Sequence, residues 1–263
     1  MKTLLPFLSV CAAASPVQAL VLMLDFGPTA PTGTGLDNSP YHTVNPGFTD
    51  TIWNPIGTAD VAAGSLVYSD NSSASLIGVS SGFAISSTTI SLSSTPGGSI
   101  PGGAAYDSGV YAGTSPPGKD TIFNGTANSN LGVQVTGLAA GIYEVFIHSR
   151  NTNSSQTYSQ TNFVGTGTST TSFDYASYAS ETLSYTASTS TGSWVEEGGT
   201  GENYTRFLVT IGTGEALNIG IEGVGDNGRG FLNSIQIALI PEPSSAIMAI
   251  TALIPLTLRR KRH

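Results

Sequence analysis

The sequence predicts an all-β protein in which residues 20–240 form a single β-sandwich. Short apolar or alternating segments recur along the chain, and turns rich in Gly, Pro, Asn and Asp separate them, as between the strands of a sandwich. Only 10% of the residues are charged and 32 are glycine, which leaves little room for long, charge-rich helices. The clearest strand is 142–148, where apolar and β-branched residues predominate. Strands joined by turns favour a sandwich over βαβ units.

The other strands follow from the same pattern, in chain order. The run 20–26 is apolar almost throughout, which is typical of a strand buried on both faces, and Gly27-Pro28 ends it. Two hairpins are predicted, one around Asp70-Asn71 and one through the turn 212–215. The remaining predicted strand segments are 51–53, 65–69, 74–79, 83–85, 89–92, 131–135, 206–211, 216–221 and 230–239.

Residues 151–193 admit two interpretations, because 22 of the 43 are Ser or Thr. Such a stretch is typical of a disordered linker, which would divide the chain into two domains. It is also compatible with edge strands and surface loops of one domain. Large apolar side chains favour the single domain, since a spacer has nothing to bury; they are Phe163, Val164, Phe173, Tyr175, Tyr178, Leu183 and Tyr185.

The first 19 residues predict a secretory signal peptide. Lys2 gives a positive start, an apolar stretch runs to Ala14, and Val17-Gln18-Ala19 is a small-residue cleavage site, so we expect signal peptidase to cut after Ala19. The one cysteine, Cys11, leaves with this segment. The mature chain therefore has no disulfide, no thiol nucleophile and no cysteine metal ligand.

Residues 241–263 have three parts in a fixed order: Pro241-Glu242-Pro243, an uncharged apolar run over 246–258, and the basic end Arg259-Arg260-Lys261-Arg262. The two prolines end the folded domain, because proline lacks an N–H and fixes φ. The apolar run is short for a bilayer span. The four consecutive cations nevertheless predict a membrane segment whose C-terminal end stays in the cytoplasm.

This tail resembles the PEP-CTERM sorting signal of exported bacterial proteins. The resemblance covers residues 241–263 only, and it implies that Pro241, Glu242 and Pro243 are recognised by the membrane peptidase exosortase. The tail would then be a transient anchor, removed on the way to the cell surface or extracellular matrix. A permanent C-terminal anchor is the alternative, and Pro255 inside the apolar run departs from a regular helix.

The charge of the mature domain limits its partners. Removing Lys2 and the four tail cations from nine Lys and Arg leaves four, and removing Glu242 from 17 Asp and Glu leaves 16, for a net charge of −12. Nucleic acids and anionic membrane surfaces require basic patches, so both are disfavoured as partners.

Several strands together resemble the galactose-binding-like jelly rolls, a group that includes malectin-type and other carbohydrate-binding modules. The resemblance lies in 24–28, in the Gly-x-Tyr-x-Val strand at 141–145, in 214–221 and in the Leu-Asn-x-Ile-x-Ile strand at 232–237. It implies a jelly-roll fold. It carries no binding site across, because the loops match no family pattern.

Motifs of catalysis are missing from the sequence. It has no Gly-x-Ser-x-Gly elbow, no His-Glu-x-x-His and no phosphate-binding glycine loop with lysine. Before the tail only His42 and His148 remain, so a histidine metal cluster is disfavoured and a Ser-His-Asp triad would have to use one of them. The adjacent pair Glu196-Glu197 predicts a solvated acidic loop rather than the paired carboxylates of a glycosidase. The sequence therefore favours a non-catalytic protein.

Two candidate ligand sites remain. Tyr41, His42 and Trp53 predict a cluster that could face a sugar, since sugars stack on aromatic rings and bond to neighbouring polar groups; core packing of Trp53 is the alternative. Asp226-Asn227 has oxygen ligands of the kind that calcium takes, as has Asp70-Asn71, although both are equally typical of plain turns.

The leading functional hypothesis is an exported, non-catalytic surface or matrix protein that binds extracellular polysaccharide. A hydrolase or esterase acting on glycans is the alternative, and it requires two carboxylates, or a serine with His42 or His148, within reacting distance. A purely structural surface protein is the third.

Overall fold

The structure is a computed structural model that describes residues 19–33, 35–81, 84–85, 92–95, 109–113, 116–124, 130–150, 157–168, 172–186, 192–199, 202–224 and 230–241. Residues 20–240 form one compact unit. A second unit comprises 1–19 and 241–263, of which only Ala19 and Pro241 are described. The predicted signal peptide, sorting motif and basic end otherwise lie outside the described residues, and they stay predictions. No helix in the described part of the chain has the length and apolar composition needed to cross a bilayer.

The described elements are almost entirely strands. A short helix, α1 (Pro40–Val44), and a 3₁₀ turn (Gly109–Tyr111) accompany them. The strands are β1 (Val21–Phe26), β2 (Asn54–Ile56), β3 (Gly78–Ser81), β4 (Ala84–Ile85), β5 (Leu92–Thr95), β6 (Thr121–Asn124), β7 (Leu131–Thr136), β8 (Gly141–His148), β9 (Thr157–Thr168), β10 (Ser172–Phe173), β11 (Ala179–Thr186), β12 (Tyr204–Ile211), β13 (Glu215–Val224), β14 (Phe231–Leu232) and β15 (Ser234–Leu239).

Two five-stranded sheets make the sandwich, which confirms the predicted all-β class. The first sheet has the order β12-β8-β15-β1-β2, antiparallel except for the parallel pair β1-β2. The second has the order β11-β9-β13-β7-β3 and is antiparallel throughout. The shorter strands form the groups β14-β6-β5 and β10-β4.

The core lies between the sheets and takes alternate residues from their strands. In β8 these are Tyr143, Val145 and Ile147, and in β13 they are Leu217, Ile219 and Ile221. Successive side chains of a strand point to opposite faces, so this period of two identifies the inner face of each sheet. Burial of each large aliphatic side chain contributes about 1.5–3 kcal/mol, which makes the two-layer packing the main source of stability.

The outer face of the first sheet is also covered. All six residues of β1 are buried, which confirms the prediction from its continuous apolar run. Helix α1 lies over the outer face, where the backbone N–H of Tyr41 donates to Gln236 Oε1 over 3.0 Å. The ring of Tyr41 meets that of Phe146 edge-on, with centroids 5.6 Å apart. β1 and its neighbours are therefore sandwiched between the core and this helix.

β9 differs most from the prediction. The segment 151–193 was expected to supply edge strands, but β9 lies inside the second sheet between β11 and β13. Its inward positions include two polar residues with partners: Gln160 Nε2 donates to Phe231 O over 3.1 Å, and Asn162 Nδ2 donates to Thr205 Oγ1 over 2.9 Å. Because these inward positions are polar, the apolar alternation that would have predicted an interior strand is interrupted in β9. β11, at the sheet edge, agrees with the prediction.

Three further segments differ from the prediction. The turn 212–215 was expected to close a hairpin, but β12 pairs with β8 in the first sheet and β13 pairs with β7 and β9 in the second, so this turn passes from one sheet to the other. Asn54-Pro55 was expected to end a strand at 51–53, whereas β2 begins at Asn54. Proline is tolerated there because β2 is an edge strand. The predicted hairpin over 65–79 reduces to one bridge between Val67 and Ser73, around a turn where Asn71 has φ of 68°.

Candidate functional site

Helix α1 begins at a serine that also contacts the nearby histidine. Ser39 has extended backbone angles and accepts from the backbone N–H of His42, as an N-cap does. Its Oγ lies 2.6 Å from His42 Nδ1, and His42 Nε2 lies 2.9 Å from Asp50 O. A carbonyl can only accept, so Nε2 carries the proton, Nδ1 is the acceptor and Ser39 donates to it. Burial lowers the pKa of His42, which favours this neutral ring.

The Ser39–His42 contact has the distance that the hydrolase alternative requires. However, Ser39 is only 1% exposed, and its Oγ also accepts from Gln236 Nε2 over 2.9 Å. A nucleophile must reach its substrate, and this hydroxyl is enclosed by protein groups. In this arrangement the pair fixes the start of α1.

The other predicted ligand residues pack against protein as well. The ring of Tyr41 is buried edge-on against Phe48, with centroids 4.8 Å apart. The ring of His42 lies 4.8 Å from the same Phe48 ring. Trp53 is buried, and its Nε1 donates to Leu36 O over 2.7 Å. The structure thus brings Tyr41 and His42 together on Phe48, and their role toward a ligand stays a prediction.

A pocket of about 420 Å³ opens beside α1. This volume lies within the range of small-molecule sites. Asn38 connects two walls of the pocket. The Nδ2 of Asn38 donates to Val110 O over 2.6 Å, and the Oδ1 of Asn38 accepts from Trp194 Nε1 over 2.8 Å. The pocket is lined by Asn38, Thr43, Gly109, Val110, Gly192, Ser193 and Trp194. Three segments far apart in the chain therefore converge on one mixed polar and aromatic cavity.

Buried aromatic and basic groups contact Trp194. Its ring meets the His148 ring edge-on with centroids 4.9 Å apart, and the Tyr111 ring at 6.1 Å. Tyr111 Oη and His148 Nε2 are hydrogen-bonded at 2.6 Å. Burial, and then the Arg150 cation, lower the pKa of His148 well below 6.5, so this histidine is neutral. Trp194 is thereby held in place by fully enclosed rings.

A buried carboxyl lies at the end of β1. Asp25 is 3% exposed, and the backbone N–H of Gly118 donates to its Oδ1. Burial raises the pKa of Asp25 to about 8, and the nearby Asp120 adds to the rise. Asp25 is therefore predominantly protonated at neutral pH. Asp120 is bound separately, since its Oδ2 accepts from the N–H of Thr29 over 2.8 Å.

The acidic loop before β12 is partly buried, unlike the solvated loop that was predicted. Glu202 accepts from the N–H of Gly198 over 2.8 Å and from that of Ser184 in the edge strand β11. The N–H of Glu197 donates to Tyr204 O over 3.0 Å, at the edge of β12. The loop therefore occupies part of the open edges of both sheets, which limits edge-to-edge association.

A second, smaller pocket of about 320 Å³ lies on the first sheet, lined by Glu144, Glu196, Arg206, Phe207 and Leu208. Arg206 forms an ion pair with Glu144. That carboxylate is therefore held as the acceptor of a charge-assisted bond, which disfavours it as a general acid.

Of the two calcium candidates, only the one at Asp70-Asn71 lies within the described residues. Asp226-Asn227 lies outside the described residues. Asp70 Oδ1 accepts from the N–H of Ser72 over 2.8 Å and from its hydroxyl over 2.5 Å, as in a plain turn. These two bonds lower the pKa of Asp70. Among the described residues, no three His, Cys, Asp or Glu side chains converge as metal ligands would.

Comparison with known proteins gives little. No protein-family model matches the chain, and none of the curated proteins matches it. The resemblance of the tail to PEP-CTERM signals therefore stays a prediction.

Solved structures show weak likenesses. The carbohydrate-binding module TmCBM61, in complex with beta-1,4-galactotriose, is 14% identical over 48% of this chain and 74% of that one, with a TM-score of 0.24. A Bacteroides uniformis beta-glucuronidase is 13% identical, with a TM-score of 0.29. Beta-glucuronidase 2 of the same organism, covalently bound to cyclophellitol-6-carboxylate aziridine, is 14% identical, with a TM-score of 0.27. The alignments to both glucuronidases cover 73% of this chain and 20% of theirs. Such low scores carry no argument about fold or function.

Proposed function

We propose that this protein is an exported, non-catalytic β-sandwich that binds a neutral carbohydrate in the pocket beside α1. The observation that carries the proposal is the lining of that pocket. Asn38, Thr43 and Ser193 supply amide and hydroxyl groups next to the side chain of Trp194, which lines the pocket although only 8% of it is exposed. Sugar recognition uses an apolar ring surface together with a few placed polar groups.

Charge supports a neutral ligand. The domain carries a net charge of −12 between residues 20 and 240, from 4 cations against 16 acids. Among the described cations, Lys119 and Arg150 are buried and Arg206 pairs with Glu144. An anionic polysaccharide would therefore meet repulsion rather than a basic surface.

Export is part of the proposal and rests on the sequence of the two ends. Signal peptidase would release the chain after Ala19, and exosortase would process the tail at Pro241-Glu242-Pro243 while Arg259–Arg262 stay in the cytoplasm. Fractionation of cells with and without exosortase tests this. We expect the tail to be removed only when exosortase is present. A chain found in the cytoplasm with both ends intact would contradict the proposal.

Binding is tested with a glycan array and with a pull-down on extracted matrix polysaccharide. Ser193→Trp fills the pocket at an exposed position, so we expect it to abolish binding of the short glycans on the array. Thr213→Trp adds the same ring at an exposed turn between β12 and β13 and is the matched control. Absence of retention at millimolar sugar would favour a purely structural surface protein.

A hydrolase acting on glycan esters is the second candidate, because Ser39 Oγ and His42 Nδ1 are 2.6 Å apart. Ester turnover that is lost in Ser39→Ala while the protein stays folded would support it. We expect no turnover, since Ser39 is enclosed.

A further inference from the structure

The outer face of the second sheet carries an aromatic surface that differs from the pocket in position and shape. Leu217, Ile219 and Ile221 of β13 belong to the core. The residues between and after them, Asn218, Gly220 and Glu222, therefore point outward. The register places Gly220 next to Phe163 of β9, and Asn218 next to Gly165.

Two tyrosines from the segment that follows β10 lie directly over the outward glycines. A Cβ added to Gly165 would come within 2.4–2.6 Å of three ring atoms of Tyr178. One added to Gly220 would come within 3.2 Å of Cγ of Tyr175. Close approach to several atoms of one ring is the geometry of a ring lying flat on the strand. The opposite face of such a ring points away from the sheet.

Protein groups fix both rings. Asn218 Nδ2 donates to Tyr178 Oη over 3.0 Å, and its Oδ1 accepts from Gln134 Nε2 over 2.7 Å. Tyr175 Oη accepts from Asn130 Nδ2. The N–H of Tyr178 donates to Tyr175 O over 2.9 Å, which closes the turn between them. The rings are therefore positioned before any ligand arrives, and preorganisation reduces the cost of binding.

The surface continues beyond the rings. The ring of Phe163 lies 4.4 Å from that of Tyr175, and all three aromatic side chains remain partly exposed. Next to them, β9 and β11 present paired hydroxyls, with 2.8 Å between Thr161 Oγ1 and Thr182 Oγ1 and 3.2 Å between the Oγ atoms of Ser159 and Ser184. We define Phe163, Tyr175 and Tyr178 as the aromatic platform.

We propose that the aromatic platform and the adjoining hydroxyl pairs bind an extended chain of neutral polysaccharide. The rings offer flat faces for sugar rings, and the hydroxyls offer donors and acceptors along the same strands. Glu222 lies outward beside Thr161, so the surface repels anionic chains. The inference rests on the proposed carbohydrate-binding function but uses a different sheet, so the two proposals fail separately.

The glycines give a matched pair of variants. Gly165→Ala would drive Tyr178 off the sheet without changing any aromatic residue. Gly167→Ala lies two residues along the same strand, where an added Cβ meets Asn218 Nδ2 at an ordinary 3.5 Å. We expect Gly165→Ala to weaken binding about tenfold or more, and Gly167→Ala to bind like the wild type.

Affinity electrophoresis of the full chain in gels containing β-1,4-galactan, xylan or hydroxyethyl cellulose measures this binding, with polygalacturonate as the anionic comparison. Retardation by at least one neutral polymer, lost in Gly165→Ala and in Tyr178→Ala but kept in Gly167→Ala and Ser193→Trp, is the expected result. Tyr178→Ala removes the ring without adding an atom, so it tests the platform even if Gly165→Ala fails to fold.

Four results would overturn the inference: no retardation of the folded wild type by any neutral polymer, equal retardation of both platform variants and the wild type, retardation by polygalacturonate alone, or loss of all binding in Ser193→Trp alone. If Ser193→Trp alone lost all binding, the pocket would be the glycan site and the platform would not. Loss of small-sugar binding in Ser193→Trp with polymer binding intact leaves both proposals standing.

Discussion

The outer faces of the two sheets have opposite characters. On the first sheet, helix α1 covers the face with buried rings and hydrogen bonds, and Tyr41 is 5% exposed. On the second, outward glycines leave room for tyrosines that lie on the surface and stay partly exposed. The same residue type therefore stabilises the fold on one sheet and presents a surface on the other. This difference teaches that, on the face of a sheet, the burial of a tyrosine ring rather than the residue type indicates whether it can meet a ligand.

The largest effect expected from this comparison is on stability. Tyr41→Ala removes a buried ring that packs on Phe48 and Phe146, and we expect a loss of about 3–5 kcal/mol in the free energy of unfolding. Tyr178→Ala removes a partly exposed ring, and about 1 kcal/mol is expected. Urea unfolding of both variants measures the difference. Equal losses would contradict the contrast between the faces.

The next effect is the pH dependence caused by Asp25, at the covered end of the first sheet. Its pKa rises from 3.8 to about 8 on folding, so between these values the folded state holds a proton that the unfolded state has released. The free energy of unfolding contributed by this group therefore falls as the pH rises from about 4 to about 8.

Asp25→Asn keeps an acceptor for Gly118 and cannot ionise, so it isolates this contribution. We expect its Tm, relative to the wild type, to increase from pH 4 to pH 8. The comparison with the wild type cancels other titrations, such as that of His148, whose lowered pKa favours the fold at higher pH. Parallel curves of Tm against pH for the two proteins would show that Asp25 is not buried as a neutral acid.

A smaller effect belongs to the start of α1. Ser39→Ala removes the N-cap acceptor and the contact to His42, and we expect a loss of about 1 kcal/mol in the free energy of unfolding. Ser72→Ala, in the exposed turn at Asp70, is a comparison for the loss of one hydroxyl. If the two variants unfold at the same urea concentration, the cap does not hold the helix on the first sheet.

The smallest effect is expected at the ion pair on the first sheet. Glu144→Gln removes the charge that pairs with Arg206. The side chain of Glu144 is 20% exposed and that of Arg206 is 36% exposed. Exposed pairs contribute little, so we expect a change below about 1 kcal/mol that shrinks further in high salt. A larger, salt-independent loss would mean that this pocket is less hydrated than its exposure indicates.

Much of the fold could be predicted because its strands bury apolar residues with the right period. The continuous run in β1 and the alternation in β13 are examples, and both lie where they were expected. β9 could not be placed, since Gln160 and Asn162 are buried through partners on other strands that the sequence does not identify. The strand register also decides that Gly165 lies under Tyr178 and Gly220 under Tyr175. Local sequence does not determine that register.

The candidate site was harder to predict than the fold. Tyr41 and His42 lie close to the pocket in the chain, because Thr43 of the same helix lines it. Trp194 was not singled out, and its partner Asn38 is 156 residues away. Asn38 and Trp194 come together only in the folded chain, so neither the composition nor the spacing of residues predicts their contact.

The most direct test of the carbohydrate proposal follows the indole N–H resonances during titration of the ¹⁵N-labelled protein with neutral oligosaccharides. The chain has two tryptophans, so each reports on one region. We predict that the Trp194 resonance shifts saturably together with the backbone amides of Thr43 and Ser193, while the Trp53 resonance stays in place. A shift of Trp53 without Trp194 would move the ligand to the Tyr41–His42 cluster, and no shift at any sugar concentration would contradict the account.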